Sequence, residues 1–196
     1  RRRADLGIAF DGDADRLGIV TEDGAIVYGD MILLTLARGL LATEPGAEII
    51  SEVKCSRVLF DQIAKAGGRP LMYKVGHSLI KAKMAEDGAL LGGEMSGHIF
   101  FRHRWYGFDD AIYSALRYLE ILSASEGTAS ELLADVPTTF TTPEIRVDCP
   151  DEDKVEVVAR MRDGFRERGL AVNDVDGARV DLGGGWGLVR ASNTQP

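Results

Sequence analysis

Between Glu48 and Gly92 short extended runs alternate with helical ones: Glu48–Val53, then a helix from Ser56 to Ala66, then Arg69–Lys74, a helix Ser78–Glu86, and Ala89–Gly92. Strands alternating with helices of this length build βαβ units, so the expected core is an α/β domain with a mixed, mostly parallel sheet. Ser56 is placed to cap its helix, and Gly67-Gly68 and Gly88 to stop theirs. Two more helices flank this block. Asp30 to about Ala42 carries Ile32, Leu33, Leu36, Leu40 and Leu41 on one face. Asp109–Ser123 spaces Ile112, Ala115, Leu116, Leu119 and Leu122 so that they are expected to point inward. Ligands of such sheets sit beyond the carboxyl ends of the strands. That singles out Val75–His77, Gly93–His98 and Lys54, together with the Asp11–Arg16 loop that follows the strand Leu6–Phe10.

Proline and threonine crowd residues 136–143, which reads as a linker. Beyond it a strand (Glu144–Cys149), a helix (Glu152–Arg168) and short strands at Ala171–Val175, Arg179–Leu182 and Trp186–Arg190 outline a small α+β domain. The chain carries a net charge of −8, which argues against nucleic acid or an anionic membrane as partner. No apolar run approaches the roughly 20 residues of a membrane span. Arg1-Arg2-Arg3 leads into the first strand without a signal-peptide core. Two distant cysteines, Cys55 and Cys149, make a reducing cytoplasm the default location. Both ends look cut, as in a fragment of a longer protein.

Asp11-Gly12-Asp13-Ala14-Asp15-Arg16 is the most informative motif. Three carboxylates at alternate positions repel one another unless a hard cation sits between them, and oxygen-only ligation suits Mg²⁺ or Ca²⁺. Arg16 adds a planar donor fork suited to phosphate. A solvated acidic turn is the plain alternative. A calcium loop would find its acids at Asp11, Asp13, Asp15 and Glu22, but Arg16 occupies the glycine position and the flanks look like strands. An Asp nucleophile of the haloacid dehalogenase kind also follows an apolar strand.

Gly92-Gly93-Glu94-Met95-Ser96-Gly97-His98 sets a carboxylate and a hydroxyl two residues apart, a spacing able to reach adjacent sugar hydroxyls, or else to make an ordinary turn. Gly76-His77 reads equally as a helix start. Arg190-Ala191-Ser192-Asn193-Thr194-Gln195-Pro196 is a dense donor set that suits a phosphate dianion or a polar turn.

Taken together these segments resemble the α-D-phosphohexomutases, in the phosphomannomutase/phosphoglucomutase branch, over almost the whole chain. Asp11–Arg16 is similar to the family's Mg²⁺ loop, Gly93–His98 to its sugar-recognition loop and Arg190–Pro196 to its phosphate-binding loop. Lys54 and Gly76-His77-Ser78 fall where the family keeps active-site groups. Met95 and Ser192-Asn193-Thr194 are similar to the mannose/glucose branch; phosphoglucosamine mutases tend to differ at both places.

The resemblance implies a phosphohexomutase-type α/β domain followed by a small α+β domain. Residues 1–29 would end a metal-binding second domain, 30–137 form the sugar-recognition third domain, and 138–196 a truncated fourth. The serine that carries the phosphate would lie outside this chain. The implied reaction moves a phosphoryl group between the 1- and 6-positions of glucose or mannose phosphate through a bisphosphate that turns around in the site. In it Asp11, Asp13 and Asp15 would hold Mg²⁺, while Arg16, Lys54 and His77 would serve the chemistry. Lys54, His77, Glu94, Ser96, His98, Arg190, Ser192, Asn193 and Thr194 would hold substrate, in a cytoplasmic monomer. The roles of His77 and His98 stay open, and so do two alternatives, a non-catalytic sugar-phosphate binding module and a phosphoglucosamine mutase.

Overall fold

The computed structural model describes residues 4–192. They form two units, one running to Pro137 and the other beginning at Thr138. In the first, β1 (Leu6–Phe10), β2 (Leu17–Thr21) and β3 (Ile26–Val27) make an antiparallel sheet in that order, with Phe10 opposite Leu17 and Leu6 opposite Thr21. Next come α1 (Gly29–Leu41), β4 (Glu48–Glu52), α2 (Arg57–Lys65), β5 (Arg69–Tyr73), α3 (His77–Asp87), β6 (Leu91–Gly93), β7 (Ile99–Phe101) and α4 (Ala111–Ala124), then one 3₁₀ turn at Glu131–Leu133. The four-stranded sheet runs β5-β4-β6-β7, with β5, β4 and β6 parallel and β7 antiparallel. Pro70 is tolerated because β5 is an edge strand.

Alternate strand residues face opposite sides. Ile49, Leu91, Ile99 and Phe101 pack with α1, α2 and α4 through Leu33, Leu36, Leu40, Leu59 and Tyr118, whereas Ile50 and Phe100 pack with Ile80 and Met84 of α3. The result is an α/β/α sandwich, in keeping with the expected fold class. Ser56 caps α2 as expected, its Oγ accepting from Leu59 N–H at 3.3 Å. Two local features differ from the expectation: β7 is a strand of three residues, too short to show a pattern, and α1 is buried nearly all round, with Leu34, Thr35 and Ala37 covered as well.

α4 corrects a third expectation. Ile112, Leu116 and Leu119 lie on the exposed side, at 54%, 59% and 38% exposure, while Ala111, Ser114, Ala115, Arg117 and Tyr118 are buried. Alanine and serine let the helix approach its neighbours closely, and Tyr118 fills the remaining space. Arg117 is tolerated inside because its guanidinium lies 4.8 Å over the Phe101 ring and its Nε sits 2.7 Å from Glu120. Reading the largest apolar side chains as inward misplaced the buried face.

The second unit carries α5 (Lys154–Glu167) and an antiparallel sheet ordered β10-β9-β8, from β8 (Val172–Asn173), β9 (Ala178–Asp181) and β10 (Trp186–Val189). Arg179 is buried with its guanidinium 3.8 Å from the Trp186 ring centre. The strand expected at Glu144–Cys149 does not form: Ile145 and Val147 are 81% and 78% exposed. Alternation marks a strand only where a neighbour supplies the ladder, and no described strand pairs with this segment. Among the described residues no helix is long and apolar enough to cross a membrane.

Candidate functional site

Every loop of the first unit that the sequence singled out converges at one end of the sandwich. β4 delivers Lys54, β5 delivers residues 75–77 and β6 delivers residues 94–98, all at carboxyl ends of parallel strands.

The acidic loop turns β1 back into β2. Ala14 adopts φ 59°, a left-handed conformation that costs a non-glycine residue about 1–2 kcal/mol. Its N–H donates to the Asp11 carbonyl at 3.3 Å. The kink brings one carboxylate oxygen each from Asp11, Asp13 and Asp15 within 4.8 Å of one another. Three hard oxygens with no nitrogen or sulfur are the donor set Mg²⁺ prefers, so the residues present fit that ion. Asp15, His98 and Asp109 also come within 4.8 Å of one another. There, however, Arg16 Nε already lies against His98, so a cation is in place.

Arg16 ties this loop to the next. Its backbone N–H donates to Asp11 Oδ1 at 3.2 Å, and its Nε lies 3.5 Å from Asp11 Oδ2 and 3.8 Å from Asp15 Oδ1. The same Nε–H donates to His98 Nε2 at 3.2 Å. An isolated bridge pairs Arg16 with His98, and Leu17 N–H donates to the Gly97 carbonyl at 3.0 Å. Gly97 has φ +96°, and a Cβ there would lie 2.8 Å from the Leu17 carbonyl oxygen. Glycine is what lets the two loops touch.

In the glycine-rich loop Glu94 is buried, and both its oxygens are engaged. Oε1 accepts from Gly76 N–H at 2.8 Å; Oε2 lies 2.7 Å from His98 Nδ1 and 3.4 Å from Ser96 Oγ. Ser96 Oγ is also 2.9 Å from His98 Nδ1. Burial opposes the charged form of Glu94, but the bonds from His98 and Gly76 outweigh it and hold the carboxyl below its ordinary range. Burial likewise disfavours the His98 cation, yet Glu94, with help from Asp15, lifts the imidazole above its ordinary value while Arg16 pulls against them.

Glu94 therefore fixes the Nδ1 proton, and Nε2 can serve in two states. Neutral, it accepts from Arg16; protonated, it faces Asp15 Oδ1 at 3.3 Å. The ring nitrogen thus has a partner in each protonation state.

The floor of the loop is Glu52, buried at the end of β4, whose Oε1 accepts from Met95 N–H at 2.8 Å. Lys54 Nζ lies 3.9 Å from the same oxygen. Below, α1 starts so close that a Cβ on Gly29 would sit 2.6 Å from the Met95 carbonyl oxygen. His77 opens α3, its Nδ1 lying 2.9 Å from Asp109 Oδ2 and its ring stacked at 5.6 Å on His98. Asp109 also takes Lys81 Nζ at 2.7 Å.

Glu52, Lys81 and Asp109 were missed by sequence reading. Their signals were faint: an acid inside an apolar strand, a lysine one helical turn after His77, and a paired Asp109-Asp110 ahead of a helix.

The second unit places Arg190 just after β10. Its side chain is largely covered, with Nη2 3.3 Å from Asp176 Oδ2. Ser192 is half-buried. Asn193 and Thr194 lie outside the described residues.

Comparison with known proteins agrees with this architecture. Residues 28–140 match phosphoglucomutase/phosphomannomutase alpha/beta/alpha domain III, and residues 144–196 match the phosphoglucomutase/phosphomannomutase C-terminal domain. The chain belongs to the phosphoglucomutase/phosphomannomutase family. It is 56% identical to a phosphomannomutase/phosphoglucomutase of Pseudomonas putida over 98% of its own length, and 46% identical to a phosphoglucomutase of Neisseria gonorrhoeae over 98%. The chain spans 42% of the length of each of these curated relatives. A crystal structure of a phosphoglucomutase/phosphomannomutase family protein from Burkholderia thailandensis superposes with a TM-score of 0.91 at 46% identity, covering all of this chain and 41% of that one.

Proposed function

We propose that this chain is the sugar- and phosphate-binding portion of a phosphohexomutase that interconverts hexose 1- and 6-phosphates, with glucose or mannose as the sugar. The observation that carries the reading is the junction of the acidic loop with the glycine-rich loop through Arg16 and His98, at 3.2 Å. Metal-binding carboxylates, a guanidinium and a proton-transfer imidazole share one small volume, as phosphoryl transfer to a hydroxyl requires.

In this reading β1–β3 are the end of a preceding domain, residues 30–137 recognise sugar and residues 138–196 recognise phosphate. Asp11, Asp13 and Asp15 hold Mg²⁺, which when bound draws negative charge from the transferring phosphoryl group. Arg16 places a fixed positive charge beside the same oxygens. Once Arg16 turns its Nε–H from His98 to the phosphate, His98 Nε2 accepts the proton of the attacking sugar hydroxyl and returns it when the bisphosphate reacts from its other end. Glu94 holds the His98 ring through Nδ1, and its remaining lone pairs and the Ser96 hydroxyl serve the sugar hydroxyls between the two ends. Lys54 neutralises phosphate near Glu52. Arg190 and Ser192, with Asn193 and Thr194, take the phosphate that is not reacting. The phosphoryl donor of this reading is the phosphoserine that the family resemblance implies.

His98→Ala in the full-length protein tests the assignment. Loss of a general acid–base group lowers kcat by about 10²–10⁴, read as glucose 6-phosphate formed from glucose 1-phosphate with Mg²⁺ and a bisphosphate activator. A kcat within threefold of wild type would refute the proton-transfer role.

A further inference from the structure

His77 and His98 stack 5.6 Å apart with ring planes 22° from parallel, and each offers Nδ1 to a carboxylate, Asp109 and Glu94 respectively. The two carboxylates differ in what else they hold. Glu94 takes a backbone N–H and a serine, while Asp109 takes Lys81, which stands one helical turn beyond His77 on α3. Asp109 is itself fixed from both sides. Its backbone bridges to Phe100, and the next residue, Asp110, caps α4 by accepting from Tyr113 N–H at 2.8 Å. Its side chain is 9% exposed and charged, because the bonds from Lys81 and His77 outweigh the opposition of burial.

We infer that Lys81 and Asp109 form a positioning pair that locks His77 in one tautomer, with the proton on Nδ1 and Nε2 left as an acceptor for the ligand. Asp109 needs two acceptor oxygens for this: Oδ1 for Lys81 at 2.7 Å and Oδ2 for His77 at 2.9 Å. Lys81 Nζ also stands 3.5 Å from His77 Nδ1, but its 2.7 Å bond to Asp109 Oδ1 is much the shorter, so the ammonium, which has only donors, claims that oxygen and leaves Oδ2 at 2.9 Å for the ring. His77 is about half exposed, and among the described residues its Nε2 makes no hydrogen bond. An acceptor nitrogen presented this way suits a sugar hydroxyl or a protonated phosphate oxygen. The ligand class rests on the mutase reading; the tautomer lock does not.

The arrangement makes an unusual prediction for Asp109→Asn. An asparagine has one oxygen, and Lys81 will claim it. The amide NH₂ then faces His77 Nδ1, which must become the acceptor, so the proton moves to Nε2. Adding Lys81→Met removes the competitor, the amide turns, and the Nδ1 proton returns. Long-range ¹H–¹⁵N spectra of the 196-residue chain read which nitrogen carries the proton. The expected series is Nδ1–H in wild type, Nε2–H in Asp109→Asn and Nδ1–H again in the double variant. A wild-type ring protonated on Nε2, or an Asp109→Asn ring that stays on Nδ1, overturns the inference.

If Asp109→Asn does not fold, Lys81→Met and Lys81→Arg carry the test in the full-length protein. Lys81→Met should lower kcat, by no more than the roughly 10- to 100-fold typical of a supporting partner, and Lys81→Arg should restore most of it. The effect should vanish in a His77→Ala background, since a residue acting through another adds nothing once that other is gone. Equal losses with and without His77 would contradict it. Full-length protein without any mutase turnover would refute the function proposed above, and the spectra would still decide the tautomer lock.

Discussion

The two units are built on different terms. In the first, a four-stranded sheet is covered on both faces, and residues such as Leu33, Leu40, Ile49, Leu91 and Ile99 are wholly inaccessible. In the second, α5 buries no residue, and among the described residues the fully buried positions are Ala178, Arg179 and Val180 of one strand. The site groups divide the same way. Those that must meet at hydrogen-bond distance, Arg16, His98, Glu94 and Asp109, come from the deeply packed unit; Arg190 comes from the lightly packed one. On the proposed reading, preorganised proton transfer would demand a stiff support, whereas a charge that holds a phosphate would tolerate a looser one.

That contrast can be broken by unfolding. Each unit holds one tryptophan, Trp105 in the first and Trp186 in the second. Single-tryptophan variants should give two transitions in urea, with Trp186 changing first; one coincident transition would mean that the units stabilise each other. Leu36→Ala, at a site 1% exposed, should destabilise the first unit by about 2–5 kcal/mol and leave the Trp186 transition in place.

A smaller effect is expected in the second unit. Arg179→Met keeps much of the buried stem but removes the charge over Trp186, and should cost about 1–2 kcal/mol there, within the range for a desolvated cation–π contact. Circular dichroism of the thermal transition can check it. Arg38 grips both oxygens of Asp135, at 2.8 and 2.9 Å, close to the end of the first unit. Because Asp135 is more than half exposed, Arg38→Lys should cost no more than about 1 kcal/mol.

The smallest effect distinguishes structure from sequence pattern. Leu116→Gln should change stability by no more than about 0.5 kcal/mol, because Leu116 is 59% exposed; a loss of several kcal/mol would restore the inward face that its spacing implied.

That last case shows how legibility was distributed. Strand and helix order could be read because glycines and the Ser56 cap punctuate the chain where the elements end. The α4 face could not, since burial followed small side chains and a compensated arginine, and periodicity records neither. The acidic, glycine-rich and His77 loops were visible because unusual residue types cluster within a few positions. Glu52, Lys81 and Asp109 were not visible, for their partners stand 43, 28 and 32 positions away in the chain. The segment 144–149 has a strand's alternation without a strand's neighbour.

The central claim is a division of labour: the first unit reads the sugar and the second holds phosphate. An NMR titration of the 196-residue chain with glucose 1-phosphate and, separately, with inorganic phosphate tests it most directly, comparing wild type with Glu94→Gln and Arg190→Lys. Glu94→Gln should weaken the sugar phosphate by about tenfold or more, near the 1.5–3 kcal/mol of a hydrogen bond to a charged group, and leave inorganic phosphate unchanged. Arg190→Lys should weaken both ligands, because an ammonium cannot reproduce the planar fork. Equal weakening of both ligands by Glu94→Gln, or an Arg190→Lys chain that binds both as wild type does, would contradict the account.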